Sequence, residues 1–274
     1  MGAIKNNTKL DKEPQIQYSI RIENLTKNYG KIKVLDNLSM NLNRHESLGI
    51  IGPNGSGKTT LFRCLMGLVR IQSGNISILG QKTVKKGKIL PQLRDLRPRI
   101  GYVPEQLVIY PFLTITEYLN FLGNLFGLSD EERSIYTDYL IDIYELESWQ
   151  KTLIKNLSKG NLQKIMLCTA LIHQPEVLIL DEPFTSLDVN VRKKTKNLLT
   201  QFVTKGIPEL GINSPGSILI CSHILPDLED LCVNIAILHS GKISWNGAIS
   251  DVKKSMQKNQ TLESFILKVW KNEI

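Results

Sequence analysis

Apolar positions recur along this chain at two spacings, one typical of strands and one typical of helices. Residues 19–23 alternate apolar and polar side chains and predict a strand, and residues 34–42 repeat the pattern. Residues 47–51 and 177–180 are short continuous apolar runs, which are typical of strands buried on both faces. Between residues 116 and 144, apolar side chains recur at helical spacing instead. The pattern therefore predicts a strand-rich chain with a helical insertion.

The other periodic segments alternate between strands and helices. Strands are predicted at residues 76–79, 100–103, 217–221 and 234–238, and helices at residues 58–67, 162–173 and 191–203. Such alternation, without an internal repeat, favours one α/β domain with a mostly parallel sheet. Residues 1–17 are polar and rich in lysine and asparagine, so we expect a flexible tail there. Residues 206–216 are predicted to form a loop, to which the sequence assigns no function.

Composition excludes several classes of protein. The chain has 274 residues, of which 42% are hydrophobic, and this suffices for a sizeable core. Its four cysteines form no C-x-x-C pair and have no histidines at ligand spacing, so we expect reduced thiols. The first residues lack the apolar core of a secretory signal, and no run approaches the ~20 apolar residues that span a bilayer. A membrane role is therefore expected only through a partner.

Positive charge is concentrated in one segment. The net charge is +8, and part of the excess lies between Lys82 and Arg99, where Asp95 is the sole acid. Two interpretations stay open: a solvated loop with an exposed strand edge, or a surface close to anionic lipid heads or nucleic acid. No aromatic residues interleave with these charges, so a base-stacking platform is not supported.

A glycine-rich segment after residue 51 matches the phosphate-binding pattern G-x-x-x-x-G-K-[ST] in full. Glycines let the backbone curl so that its N–H groups point at phosphate oxygens, and the following helix directs its positive end at them. Lys58 is expected to neutralise the β- and γ-phosphates, and the Thr59 hydroxyl to bind Mg²⁺. The expected nucleotide contacts in this segment are Gly52, Pro53, Asn54, Gly55, Ser56, Gly57, Lys58, Thr59 and Thr60.

Two carboxylates end the buried strand predicted at residues 177–180. The strand delivers Asp181 to the mouth of the sheet beside the phosphate loop, where it is expected to hold Mg²⁺ directly or through water. Glu182 follows it and can accept a proton from an attacking water as general base. Combined with the phosphate loop, this pair predicts a site that hydrolyses a nucleoside triphosphate.

At this point the sequence resembles the nucleotide-binding domains of ABC transporters, from about Tyr18 to Trp270. Residues 157–161, Leu-Ser-Lys-Gly-Asn, look like the family signature Leu-Ser-Gly-Gly-Gln and depart from it at Lys159 and Asn161. The resemblance implies a P-loop NTPase fold of the RecA-like type, with a mixed sheet core, an antiparallel β subdomain and an inserted α-helical subdomain. The expected divisions are a 1–17 tail, an 18–250 ATPase domain with its insertion at about 105–165, and a 251–274 C-terminal helical tail.

The resemblance also implies roles for single residues. Ser158 and Gly160 match the signature, which in the family acts on ATP held by the other subunit of a dimer. Tyr29 matches the aromatic that stacks on adenine. Asp188 matches the D-loop, which communicates between the two sites. His223 matches the switch histidine that touches the γ-phosphate, so the expected catalytic set is Glu182, His223 and Lys58.

One position departs from the family pattern. Where the family has a glutamine before the helical insertion, this chain has Glu105, followed by Gln106. Either residue can fill that role in the sequence, and Glu105 joins Thr59 and Asp181 as an expected Mg²⁺ ligand. The segment from Glu105 to Tyr118 is also unusually apolar. It is expected either to form a cleft for a permease helix or to pack into the insertion's own core; its apolar members are Leu107, Val108, Ile109, Tyr110, Phe112 and Leu113.

The family resemblance implies an ATPase with ATP and Mg²⁺ as cofactors. We expect the energy-coupling subunit of a membrane exporter, which works with a transmembrane permease and a second ATP-binding subunit, in a homodimer or a heterodimer. The expected location is cytoplasmic, peripheral on the inner face of the cell membrane. The alternatives are a subunit of an import system and a soluble cassette acting on nucleic acid or ribosomes. The chain has one cassette and no coiled-coil interruption, so no nucleic-acid partner is expected.

Overall fold

A computed structural model describes residues 17–106, 109–255 and 261–270 of the chain. Within those ranges no helix is both long enough and apolar enough to cross a membrane. The strands are β1 (Tyr18–Tyr29), β2 (Ile32–Asn43), β3 (Ser47–Ile51), β4 (Ser73–Ile78), β5 (Gln81–Lys85), β6 (Lys88–Ile89), β7 (Ile100–Val103), β8 (Val177–Asp181), β9 (Ser217–Cys221), β10 (Asn234–His239) and β11 (Lys242–Ala248). The helices are α1 (Lys58–Leu65), α2 (Gln92–Leu96), α3 (Ile115–Leu125), α4 (Asp130–Ile143), α5 (Lys159–Leu171), α6 (Val189–Thr204), α7 (Leu225–Leu231), α8 (Ile249–Ser255) and α9 (Leu262–Trp270).

The first sheet is antiparallel, with the strand order β2-β1-β4-β5-β6. Its long strands β1 and β2 bury alternate side chains, because one face of the sheet packs on the core and the other meets solvent. Ile20 pairs with Leu42 and Ile22 with Met40, and all four are buried. They share one apolar core with α1 and with the neighbouring faces of β8 and β9.

The second sheet is mixed and has the order β11-β10-β3-β9-β8-β7. Strands β10, β3, β9, β8 and β7 run parallel, and only β11 pairs antiparallel. Every residue of β3, β8 and β9 is buried, as expected for parallel strands covered on both faces. The carboxyl ends of β3, β8 and β9 meet at one edge of this sheet, which is where ligands bind in such folds.

The helical insertion lies between β7 and α5. Helices α3 and α4 each begin with a capping box, formed by Thr114 with Glu117 and by Ser129 with Glu132, which satisfies their first backbone N–H groups. Their apolar faces pack against α5 in a second apolar core, and Tyr144 is fully buried there. The insertion is therefore joined to the parallel sheet through α5 rather than linked loosely to it.

The segment at residues 206–216 is more ordered than a plain loop. Ile207 and Ile212 pair in an isolated bridge, and a short 3-10 turn lies between them at Pro208–Leu210. The apolar side chains of Ile207, Leu210 and Ile212 are buried in the same core as α4. The segment thus packs the helical insertion onto the sheet core.

The sequence pattern misses β5, β6 and α2, because residues 81–97 are mostly polar and only a few of their side chains are buried. The charged segment predicted to be a solvated loop with an exposed strand edge is a short edge hairpin followed by a helix. Gln17, assigned to the flexible tail, accepts a hydrogen bond at its carbonyl from Arg44 N–H. Residues 1–16, 256–260 and 271–274 lie outside the described ranges, and so do Leu107 and Val108.

Candidate active site

The predicted phosphate loop joins β3 to α1. Gly55 and Gly57 have φ angles of +80° and +111°, in a region that glycine alone adopts readily. A Cβ at Gly57 would also lie 2.8 Å from Leu35 Cδ2 and 3.0 Å from the Val34 carbonyl oxygen. Glycine at position 57 is therefore required both by the backbone conformation there and by the close approach of β2.

Lys58 is the first residue of α1 and turns its side chain back over the loop. Its Nζ donates hydrogen bonds to the carbonyl oxygens of Gly52, at 2.7 Å, and Pro53, at 3.1 Å. The ammonium group thus lies at the mouth of the loop, beside the positive end of a helix. This arrangement provides a cation and free N–H groups for an anionic ligand.

Asp181 ends β8 and is 1% exposed. The Cys221 thiol donates a hydrogen bond to Asp181 Oδ1, with 2.7 Å between sulfur and oxygen, whereas the buried Oδ2 has no hydrogen-bond partner among the described residues. Burial raises the pKa of Asp181, and the bond from Cys221 opposes that shift. A carboxylate in such a setting gains from a cation at Oδ2.

Glu182 leaves the strand through a left-handed backbone turn, with φ at +52°. Its Oε2 accepts a hydrogen bond from the His223 backbone N–H at 3.3 Å and lies 2.7 Å from His223 Nδ1. Burial raises the pKa of Glu182, and His223 opposes the rise. A raised carboxylate pKa makes a better proton acceptor near neutral pH, which suits a general base.

Glu105 reaches the phosphate loop across the sheet edge. Thr59 Oγ1 donates a hydrogen bond of 3.1 Å to Glu105 Oε2. No cluster of three or more His, Cys, Asp or Glu that could hold a metal by itself occurs in the described part of the chain. Mg²⁺ ordinarily takes one or two protein carboxylates and completes its shell with phosphate and water. The Thr59 hydroxyl, the free Asp181 Oδ2 and the Glu105 carboxylate fit that demand.

These groups surround one cavity of about 460 Å³. Tyr29 forms one wall and is partly exposed, and the Lys27 ammonium lies 4.1 Å from its ring centroid. The lining residues are Tyr29, Val34, Asn54, Gly55, Gly57, Lys58, Thr59, Thr60, Glu105, Asp181 and Glu182. The cavity thus extends from the Tyr29 ring, past the phosphate loop, to the carboxylates of Asp181 and Glu182.

Comparison with known proteins identifies the family. The ABC transporter family profile matches residues 35–185, which is more than half of the chain. The chain belongs to the ABC transporter family of ATP-binding proteins. This ABC ATPase is 34% identical over 247 residues to the ABC transporter ATP-binding protein YhaQ of Bacillus subtilis (strain 168), covering 89% of this chain and 76% of YhaQ.

Two further matches agree with that assignment. The ABC ATPase is 30% identical over 232 residues to the Nod factor export ATP-binding protein I of Paraburkholderia xenovorans (strain LB400), covering 85% of this chain and 71% of the relative. It also superposes on the dimeric structure of MJ0796, a bacterial ABC transporter cassette, with a TM-score of 0.72 at 26% identity. That match covers 84% of this chain and 98% of MJ0796. The predicted fold class, ATP binding and ATPase class are confirmed.

Outside the phosphate loop, four predicted site residues of the ABC ATPase do not line this cavity: His223, which contacts Glu182, and the more distant Ser158, Gly160 and Asp188. Ser158 caps α5, where its Oγ accepts a hydrogen bond of 3.2 Å from Asn161 N–H, and Asp188 caps α6 through Val191 N–H at 2.9 Å. A Cβ on Gly160 would lie 2.8 Å from the Ser186 carbonyl oxygen, so the start of α5 touches the turn before α6.

A second cavity of about 430 Å³ connects the two regions of the ABC ATPase. Lys159 and Gln163 of α5 line it together with Asn54, Glu105, Gln106, Glu182, Thr185 and His223. Gln163 Nε2 donates a hydrogen bond of 3.0 Å to the Pro183 carbonyl oxygen, one residue after the general-base candidate. The structure places Glu105, rather than Gln106, against Thr59. This contact favours Glu105 as the residue that replaces the family's glutamine before the helical insertion.

Sequence reasoning missed the part that Cys221 plays in the ABC ATPase. The sequence predicts only that the four cysteines are reduced, and the structure places the Cys221 thiol against Asp181. A signal was present, because Cys221 and Asp181 each lie four residues after the start of a buried strand. Their pairing across β8 and β9 puts the two side chains at the same level of the sheet.

Proposed function

We propose that this chain hydrolyses ATP to drive export of a cargo through a separate membrane permease. The observation that carries the hydrolytic part is the convergence of Lys58, Asp181 and Glu182 on one cavity beside the phosphate loop. The direction of transport rests on similarity to a protein named for Nod factor export. The cargo is expected to contact the permease rather than this chain.

The proposed chemistry assigns one task to each group. Lys58 and the loop N–H groups hold the triphosphate, and the partly exposed Tyr29 ring stacks on the base. Thr59, Asp181 and Glu105 would hold Mg²⁺, which would supply positive charge against the β- and γ-phosphate oxygens. The Glu182 carboxylate accepts a proton from the attacking water, and its 2.7 Å contact with His223 Nδ1 orients it toward the phosphate.

A second ATP-binding subunit completes the proposed site. Ser158 and Gly160 lie at the N-terminal end of α5, whose free N–H groups and positive dipole suit a γ-phosphate. They do not line the nucleotide cavity of their own chain, so they are available to a partner subunit. The similar MJ0796 cassette is dimeric, which supports a dimer for this chain. Asp188 caps the start of α6, two residues after Ser186, whose carbonyl oxygen lies against Gly160.

The proposed permease contact is an aromatic patch beside the helical insertion. Tyr110 and Phe112 are exposed, at 57% and 72%, and Phe121 of α3 lies next to Tyr110 with 5.5 Å between ring centroids. Ile109 and Leu113 instead pack against the insertion's core. The apolar segment therefore divides into an inward and an outward part, and the outward part can receive a short helix.

Reconstitution tests direction and coupling together. The chain is co-purified with its permease and placed in liposomes so that the ATP-binding side faces outward. For an exporter, added MgATP should drive labelled cargo into the lumen, and Lys58→Ala should abolish that uptake. Loss of preloaded cargo from the lumen would show an importer. Hydrolysis without any cargo movement, together with binding to ribosomes, would overturn the transport assignment.

A further inference from the structure

A surface of basic and aliphatic side chains lies on the antiparallel sheet, in a part of the molecule that the nucleotide site does not use. It comprises Leu68 and Arg70 from the loop after α1, and Lys86, Lys88 and Ile89 from the β5–β6 hairpin. All five side chains are exposed. We call it the basic-aliphatic surface.

The two segments are held together by backbone contacts. The Gly87 N–H donates a hydrogen bond of 2.9 Å to the Gly74 carbonyl oxygen, and a Cβ at Gly87 would lie 2.8 Å from the Gln72 carbonyl oxygen. Between the segments is an open cavity of about 670 Å³, lined by Arg70, Lys86 and Lys88 among others. The three cations therefore share one concave surface with no carboxylate in its wall.

These cations have no acidic partners among the residues that the structure describes. Arg70, Lys86 and Lys88 form no ion pair in the described part of the chain, in contrast to Arg99, which pairs with Glu176. Two more exposed arginines, Arg94 and Arg97, follow on α2 and the next turn and are likewise without an ion pair there. The surface thus keeps its positive charge for an external anion.

Protection of a sheet edge explains part of this pattern but not all of it. β6 is the edge strand of its sheet, and lysines on edge strands discourage pairing with other chains. That function would not call for an exposed isoleucine on the same strand, nor for Leu68 and Arg70 on a separate loop. Ile89 Cδ1 lies 3.6 Å from the Cβ position of Gly67, so the hairpin approaches the residue next to Leu68.

We propose that the basic-aliphatic surface docks on an anionic lipid bilayer. Lipid phosphates would meet Arg70, Lys86 and Lys88, while Leu68 and Ile89 would enter the interface between headgroups and acyl chains. Nucleic acid has the same charge but favours aromatic or hydrogen-bonding side chains beside the cations, and this surface offers aliphatic ones. The contact needs neither the permease nor ATP hydrolysis.

The test uses the full chain and vesicles that contain no permease. Co-sedimentation is measured with phosphatidylcholine vesicles, with and without phosphatidylglycerol, over a range of salt concentrations. We expect binding only with phosphatidylglycerol and weakening as salt rises. K86E/K88E should bind at least ~10-fold more weakly, because each cation near such a surface contributes about fivefold. L68S/I89S should bind more weakly with an unchanged salt dependence.

The matched control is K193E/K205E, which removes two exposed lysines of α6 and its C-terminal end. It changes the net charge by the same amount and should bind vesicles far better than K86E/K88E. All variants should keep the wild-type ATPase rate, which excludes misfolding. Equal binding to uncharged vesicles, equal loss in both charge variants, or binding to a DNA duplex without binding to phosphatidylglycerol would each overturn the proposal.

Discussion

Individual side chains at the ends of β8 and β9 determine the chemistry of the nucleotide cavity. Asp181 is buried, with one oxygen on the Cys221 thiol and the other without a partner, and Glu182 is turned out of the strand toward His223. Adjacent carboxylates thereby acquire different environments. Asp181 is suited to bind a cation, and Glu182 is suited to accept a proton.

Glu182→Gln should separate ATP binding from hydrolysis. The amide keeps the size of the side chain but cannot accept the proton, and loss of a general base typically slows a reaction ~10²–10⁴-fold. Phosphate release should fall by that order, while calorimetry should show ATP affinity close to wild type. Lys58→Ala is the contrasting variant and should lose ATP binding. Hydrolysis by Glu182→Gln at the wild-type rate would exclude Glu182 as the base.

Cys221→Val should disturb Asp181, whereas Cys221→Ser should not. Valine has a similar volume but leaves Asp181 Oδ1 buried without its donor, and an unsatisfied buried acceptor costs about 1–3 kcal/mol. The valine variant should unfold at lower denaturant concentration, and the Mg²⁺ concentration for half-maximal ATPase rate should rise several-fold. Serine restores a donor and should correct both readouts. Equal behaviour of the two variants would show that the thiol does not position Asp181.

Close contact between helices and strands positions the site elements. Helix α5 carries Ser158 at its start and passes over β7, where Gly101 lets it approach. A Cβ on Gly101 would lie 2.1 Å from the Ala170 carbonyl oxygen and 2.5 Å from Leu178 Cδ2. The backbone of α5 therefore rests directly on β7. The position of Ser158 and Gly160 relative to the sheet depends on this contact.

Gly101→Ala should destabilise the protein by about 1–3 kcal/mol, since a packed helix backbone must move to admit the methyl group. Thermal unfolding followed by circular dichroism measures the loss. Gly49→Ala in β3 is the matched control, because the three atoms nearest to a Cβ there belong to side chains, at 3.2 Å and beyond, which can shift. Gly49→Ala should lower the free energy of unfolding by less than Gly101→Ala does. The reverse order would show that α5 does not rest on β7 as closely as the structure indicates.

Across the whole molecule, two surfaces lie away from the cavity and serve different proposed contacts. The aromatic patch at Tyr110 and Phe112 adjoins the helical insertion, and the basic-aliphatic surface lies on the antiparallel sheet. Glu105, five residues before Tyr110 in the chain, accepts a hydrogen bond from Thr59 at 3.1 Å.

Phe112→Glu should uncouple transport without impairing basal hydrolysis. The ring is 72% exposed, so a charge there should leave folding and the isolated chain's ATPase rate unchanged, while cargo uptake in the reconstituted system should fall by most of its amplitude. Val233→Glu is the control, at another site that is 64% exposed. If both variants transport equally well, the aromatic patch is not the permease contact. Ile109 is unsuitable for this test, because it packs against the core.

The sequence alone determined the strands β3, β8 and β9, the phosphate loop and the acidic pair, because these depend on local spacing: short apolar runs, glycines at fixed offsets and residues directly after a strand. It did not reveal β5 and β6, whose polar residues acquire strand structure only by pairing with β4 and with each other. Nor did it show the contact of Cys221 with Asp181, or which of Glu105 and Gln106 meets Thr59. Those contacts join residues 40 and 46 positions apart, and only the packing of parallel strands at one edge brings them within hydrogen-bond distance.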